Sequence, residues 1–153
     1  MPSLLLHPTP TAQWQQIVHE AQAAAECHLD EALESYLVFL LVRFTDRPEL
    51  VDAVLALDYL NSMAAVGRDR RDRLRDVGDQ CLLYSGLFPQ RAARRCVDIG
   101  YFVGLGRSAY QQLSESLEYR PGELYARLAQ AFVALMDVLQ MMREIGLGRP
   151  CLD

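Results

Sequence analysis

Along this chain the apolar residues recur every third or fourth position and almost never alternate, which is the periodicity of helices packed on one face. Runs of β-branched residues are missing, and Ala, Leu, Gln, Glu and Arg dominate. The predicted fold is therefore all-α, with six segments. The first runs from about Ala12 to Cys27, with Thr11 placed to cap it. The second, about Asp30 to Phe44, is apolar almost all round at Tyr36–Val42, which predicts a place at the centre. Asp46 and Glu49 have capping-box spacing around Pro48, so a third should run to about Val66 and stop at Gly67. The fourth covers about Asp69 to Tyr84, interrupted at Gly78 and closed by Gly86 and Pro89. A fifth spans about Gln90 to Ser116. Pro121 and Gly122 open the sixth, whose Leu124, Leu128, Ala131, Phe132, Leu135, Leu139 and Met142 make one stripe ending at Gly146.

Short connections favour antiparallel neighbours. The expectation is a compact bundle of five or six helices in one domain over residues 1–153, with 1–10 an irregular lead-in and 147–153 a tail. At 17.3 kDa the chain is long enough to bury a core without staples. No fixed-period repeat or low-complexity tract interrupts it.

Charge changes the picture only locally. The net charge of −5 disfavours a general nucleic-acid or anionic-membrane binder, which gains affinity from positive potential. Residues 1–66 carry nine acids against Arg43 and Arg47, while residues 67–107 carry nine arginines against five acids. The longest strongly apolar run, Tyr36–Val42, is far short of the ~20 residues that cross a bilayer. Cys27, Cys81, Cys96 and Cys151 form no CxxC pair, and no export signal precedes the bundle. These features predict a reduced, cytoplasmic, untethered protein.

The sequence offers candidates for four kinds of chemistry. VHEAQAAAECHLDEALE gathers possible metal ligands, but Cys27 and His28 are adjacent, and His19 has only Gln22 and Ala23 one turn on, so no metal site is expected. Gly104-Leu105-Gly106-Arg107-Ser108-Ala109 matches GxGxxA without a second βα unit around it, and no nucleotide or other cofactor is expected. There is no GxSxG elbow, and all three histidines precede Leu29, so no catalytic residue is assigned. In RDRRDRLRD, Arg68–Asp72, Asp69–Arg73 and Arg75–Asp79 have i,i+4 spacing, which leaves Arg91, Arg94 and Arg95 as the less compensated basic cluster.

The least ordinary stretch is GDQCLLYSGLFPQRAARRC, Gly78–Cys96, with glycine and polar residues inside an apolar helix. Glycine costs a helix ~1 kcal/mol against alanine, so Gly78, Gly100 and Gly104, with Gly106 a further candidate, are read as places of close helix packing, with Gly78 near Gly100 and Cys81 facing Cys96. Asp79 and Gln80 should then point away from the apolar stripe. The functional expectation is a non-enzymatic protein acting through protein contacts, a homo-oligomer in which Glu20, Glu26, Glu31 and Glu34 meet Arg91, Arg94 and Arg95. The alternative is a small-molecule site or enzyme with a cleft between the fourth and fifth helices, drawn from Asp79, Gln80, Tyr84, Asp98, Tyr101, Arg107 and Tyr110. A weaker alternative is a regulator that docks on nucleic acid through the arginine cluster.

Overall fold

A computed structural model describes residues 9–47, 64–90 and 98–147. Among these the chain is a compact all-α bundle of six helices: α1 (Pro10–Ala25), α2 (Glu31–Asp46), α3 (Gly67–Leu87), α4 (Ile99–Ser116), α5 (Tyr119–Gln130) and α6 (Phe132–Met142), followed by a π-helical turn at Arg143–Leu147. The expected third helix and the Cys81–Cys96 approach fall on residues outside the described ones.

Local chemistry sets most of the ends. Thr9, not Thr11, caps α1: its Oγ1 accepts from the Ala12 N–H at 3.1 Å, which leaves Pro10 in the first turn, where its missing N–H costs nothing. The helix closes with the Cys27 N–H on the Gln22 carbonyl and Glu26 in the left-handed region at φ 53°. Asp30 caps α2, its Oδ1 accepting from the Leu33 N–H at 3.0 Å, and it also pairs with Arg127 of α5. The predicted sixth helix is two. It starts earlier, at Tyr119, and breaks at Ala131 (φ −94°, ψ 10°), so that α5 packs on α4 while α6 packs on α3 and α1.

The centre of the bundle is not α2. Phe39, in the middle of its apolar run, is 63% exposed, because α2 lies against α1 and α5 and hardly approaches α3 at the backbone. The central element is the second half of α3, where every residue from Val77 to Leu87 is buried. This half packs on α4 and on α6, and Gly78 does not interrupt it. Asp79 and Gln80 consequently sit inside the bundle, contrary to the expectation that they point outward.

The glycines that permit close packing match those expected only in part. A Cβ on Gly104 would meet nothing within 4 Å, and one on Gly100 would meet only its own neighbour Asp98. Among the described residues, neither lies against another helix. Close approaches between helices occur at Gly106, where a Cβ would fall 2.6 Å from the Phe132 ring and 2.8 Å from Cys81 Cβ, at Gly86, where it would fall 2.5 Å from Leu139 Cβ, and at Gly78, where the neighbour is the ring of Tyr110 and not Gly100. Gly104 is thus an exposed helix glycine with no packing role. Gly104→Ala is expected to stabilise the protein by about 0.5–1 kcal/mol, read as a higher denaturation midpoint.

Candidate functional site

Asp79 is the most unusual residue of the fold, a carboxyl group 1% exposed at the centre of the bundle. Two helices, α2 and α4, supply its partners. Tyr36 of α2 and Tyr110 of α4 donate to Oδ1 at 2.7 and 2.6 Å. Both distances lie at the short end for O–H···O bonds. The other oxygen, Oδ2, lies 3.0 Å from Arg43 Nη1, an ion pair whose alignment falls short of a formed hydrogen bond. Arg43 also reaches Asp76 at 3.6 Å, and Asp76 in turn lies 3.5 Å from Arg75.

Around this polar centre stands a cage of rings. Tyr36 meets Tyr110 edge-on with centroids 6.3 Å apart, and Tyr125 of α5 packs on both at 5.7 and 5.9 Å. Gly78 makes the arrangement fit. A Cβ there would lie 2.6 Å from Tyr110 Cδ1 and closer still to Cε1, so only glycine lets the phenol cross α3 and reach the next residue, Asp79. The glycine admits one ring rather than a helix backbone.

Burial pushes the Asp79 carboxyl above its usual range, and the Arg43 charge and the two phenols oppose that push without cancelling it. Tyr36 and Tyr110 are driven well above the ordinary phenol range, by burial first and by the neighbouring Asp79 second. The group therefore holds its protons tightly and sits inside the packed core. It is suited to fixing α2, α3 and α4 against one another.

The structure brings only Asp79 and Tyr110 of the cleft candidates together. Gln80 is buried, and its Oε1 has no donor among the described residues. Tyr84 is buried and stacks on Phe102 at 5.3 Å. Asp98 is exposed just before α4. Tyr101 is 49% exposed with its ring edge against Phe102, and Arg107 donates from Nε to the Ala129 carbonyl at 3.1 Å. Neither Tyr101 nor Arg107 is joined to Asp79 by a hydrogen bond, ion pair or ring contact.

Of the acidic candidates, Glu20, Glu26 and Glu31 are exposed. Glu34 is turned inward, its side chain 16% exposed, accepting from Gln22 Nε2 at 3.1 Å and lying 3.7 Å from His19 Nδ1. It belongs to the α1–α2 elbow, where Gln22 Oε1 also holds the Leu29 N–H at 2.8 Å. Arg91, Arg94 and Arg95 lie outside the described residues. Asp69 pairs with Arg73 at 3.2 Å as its spacing suggests, while Arg75 turns to Asp76 and Arg68 does not pair with Asp72.

Tyr36, Arg43, Arg75 and Tyr125 were missed from sequence. The available signal was in α2: Tyr36 and Arg43 are seven residues apart, two turns on one side of an otherwise apolar helix. Among the described residues no cluster of histidine, cysteine, aspartate and glutamate is placed to hold a metal, and no helix is long and apolar enough to cross a membrane. Burial raises the Cys27 and Cys81 thiols above their usual range, which works against a nucleophilic role. The fold and its buried carboxyl define the chain as an all-α bundle with a polar centre. Compared with known proteins, it matches no family model, no curated protein and no solved structure.

Proposed function

We propose that this protein is a non-enzymatic binding domain that acts through protein contacts, and that a second copy of the chain is its first partner. The observation that carries the reading is the outer face of α2. Ala32, Ser35 and Phe39 form an exposed, uncharged stripe at helical spacing, with the Phe39 ring in solvent. An exposed aromatic in an uncharged setting is the usual mark of a contact surface. Beside the start of this stripe lies a groove of about 630 Å³ lined in part by Ala32, Pro121, Leu124 and Tyr125, with Arg120, Glu123 and Arg127 around it. An apolar floor with charges around it resembles the core and rim of an interface.

The exposed Glu20, Glu26 and Glu31 add a negative face that a basic surface of another copy would complement. Free thiols at Cys27 and Cys81, neither in a disulfide, fit a reducing compartment, and we place the protein in the cytoplasm on that ground.

Native mass spectrometry and light scattering at micromolar concentration test the reading. The wild-type chain is expected to be dimeric or larger, and Phe39→Asp to be monomeric with an unchanged helical signal, since Phe39 is 63% exposed and lies outside the buried core of the described residues. A monomeric wild type at both low and high salt would end the self-association reading.

A further inference from the structure

We propose that the cleft where α3, α4 and α5 meet binds a small organic phosphate, with an arginine stripe holding the anion and the apolar wall holding its body. The cleft encloses about 390 Å³ and is lined by Arg68, Arg71, Asp72, Arg75, Leu113 and Leu117, with Tyr125 completing it. That volume is at the lower end for small-molecule sites and suits a phosphate carrying about one ring.

The arginines are not scattered. Positions 68, 71 and 75 fall on one face of α3 over two turns, so three guanidinium groups line a path of about 10 Å. One carboxylate, Asp72, faces them in the cleft, and Arg68 and Arg71 form no ion pair with a described residue. With Asp72 in the cleft and Asp76 beside Arg75, the stripe carries an excess of roughly one positive charge, concentrated at Arg68 and Arg71, whose two guanidinium groups can share the oxygens of a phosphate monoester more fully than those of a monocarboxylate. Guanidinium forks match the oxygens of phosphate two at a time.

A second, independent observation is at Arg75. Its Nε is shielded from water and has no acceptor among the described residues, although Nη2 lies near Asp76. A shielded charged donor without an acceptor is costly and uncommon, and the guanidinium that carries it lines the cleft with its side chain 38% exposed, where the exposed part can meet an anion. Leu113, Leu117 and the Tyr125 ring offer the opposite wall an apolar surface that phosphate alone would not use. The cleft shares only Tyr125 with the groove beside α2, and its arginines lie away from the α2 stripe, so the proposal does not depend on self-association.

The test is titration of the full-length protein with phenyl phosphate, followed by calorimetry and by amide chemical shifts, with benzoate, phenol and inorganic phosphate as parallel probes. Phenyl phosphate is expected to bind saturably, more tightly than benzoate or inorganic phosphate, with phenol showing no binding. Arg68→Gln combined with Arg71→Gln should weaken it roughly tenfold or more. Both side chains lie on the outer half of α3, and glutamine keeps its helix propensity, so the double variant should fold. Arg73→Gln combined with Arg143→Gln removes the same charge outside the cleft and should leave affinity unchanged. The proposal is overturned by no saturable binding at millimolar probe, by equal loss in both double variants, or by benzoate or phenol matching phenyl phosphate. It is likewise overturned if a single-stranded oligonucleotide alone binds in an Arg68- and Arg71-dependent way.

Discussion

Gly78→Ala is expected to destabilise the protein by about 2–3 kcal/mol, although alanine is the better helix former. In an open helix the change would add about 1 kcal/mol of stability. Here the new methyl group lands on the ring of Tyr110, which is fully buried and bonded to Asp79, so either the ring moves and gives up a buried hydrogen bond or α3 and α4 separate. Overpacking of that kind costs about 1–3 kcal/mol, and the lost bond adds about 1.5–3 kcal/mol if the phenol withdraws, against which the propensity gain is the smaller quantity. Denaturant unfolding of wild type and variant measures the difference. A more stable variant would mean that Tyr110 does not cross Gly78. A double-mutant cycle sharpens the result, because in a Tyr110→Ala background Gly78→Ala should lose its penalty and become favourable.

The second large effect concerns Asp79. Asp79→Ala takes the acceptor from two phenol hydroxyls at once, and each unsatisfied buried group costs about 1–3 kcal/mol, so a loss of about 2–4 kcal/mol is expected. Asp79→Asn keeps a carbonyl oxygen where Tyr36 and Tyr110 donate, and the part-exposed Arg43 can turn to Asp76 and water. Its stability at neutral pH should equal or exceed that of wild type. The carboxyl titrates higher in the folded than in the unfolded chain, where it lies near 3.8. The folded state therefore holds a proton that the unfolded state has released. The stability this contributes is complete below the unfolded value and is lost as pH rises through the raised one. The difference in unfolding free energy between wild type and Asp79→Asn, followed upward from the acid range, isolates that slope from the other carboxylates. A wild-type advantage that grows with pH would show that Arg43 outweighs burial and that the carboxyl is held ionised.

The helical class and most helix ends were legible because they depend on neighbours in sequence, such as Asp30 before α2 and the leucine spacing of α6. What failed depends on partners far along the chain. Apolarity all round Tyr36–Val42 suggested a central helix, yet Phe39 is exposed, because spacing shows which faces are apolar and not which of them another helix covers. Gly78 was read as a contact glycine, and it is one; its partner, a tyrosine 32 positions away, has no local signature. Asp79 was placed outside by the same helical wheel, since a carboxylate opposite a leucine stripe is ordinarily solvated. Its burial follows only when Tyr36, Arg43 and Tyr110 arrive together. Gly100 and Gly104 show the converse, a suggestive repeat of small residues that no neighbour uses.

Leucine stripes are nearly interchangeable, and a bundle built from them alone can slide by one turn with little loss of apolar burial. Asp79 removes that freedom for α2. Tyr36 and Arg43 reach its two oxygens from one side of a single helix, so a displacement of one turn, about 5.4 Å, withdraws both at once and strands an acid in the core. The buried carboxyl acts as an alignment pin: it adds little to the total stability, and it penalises every arrangement of the helices but one.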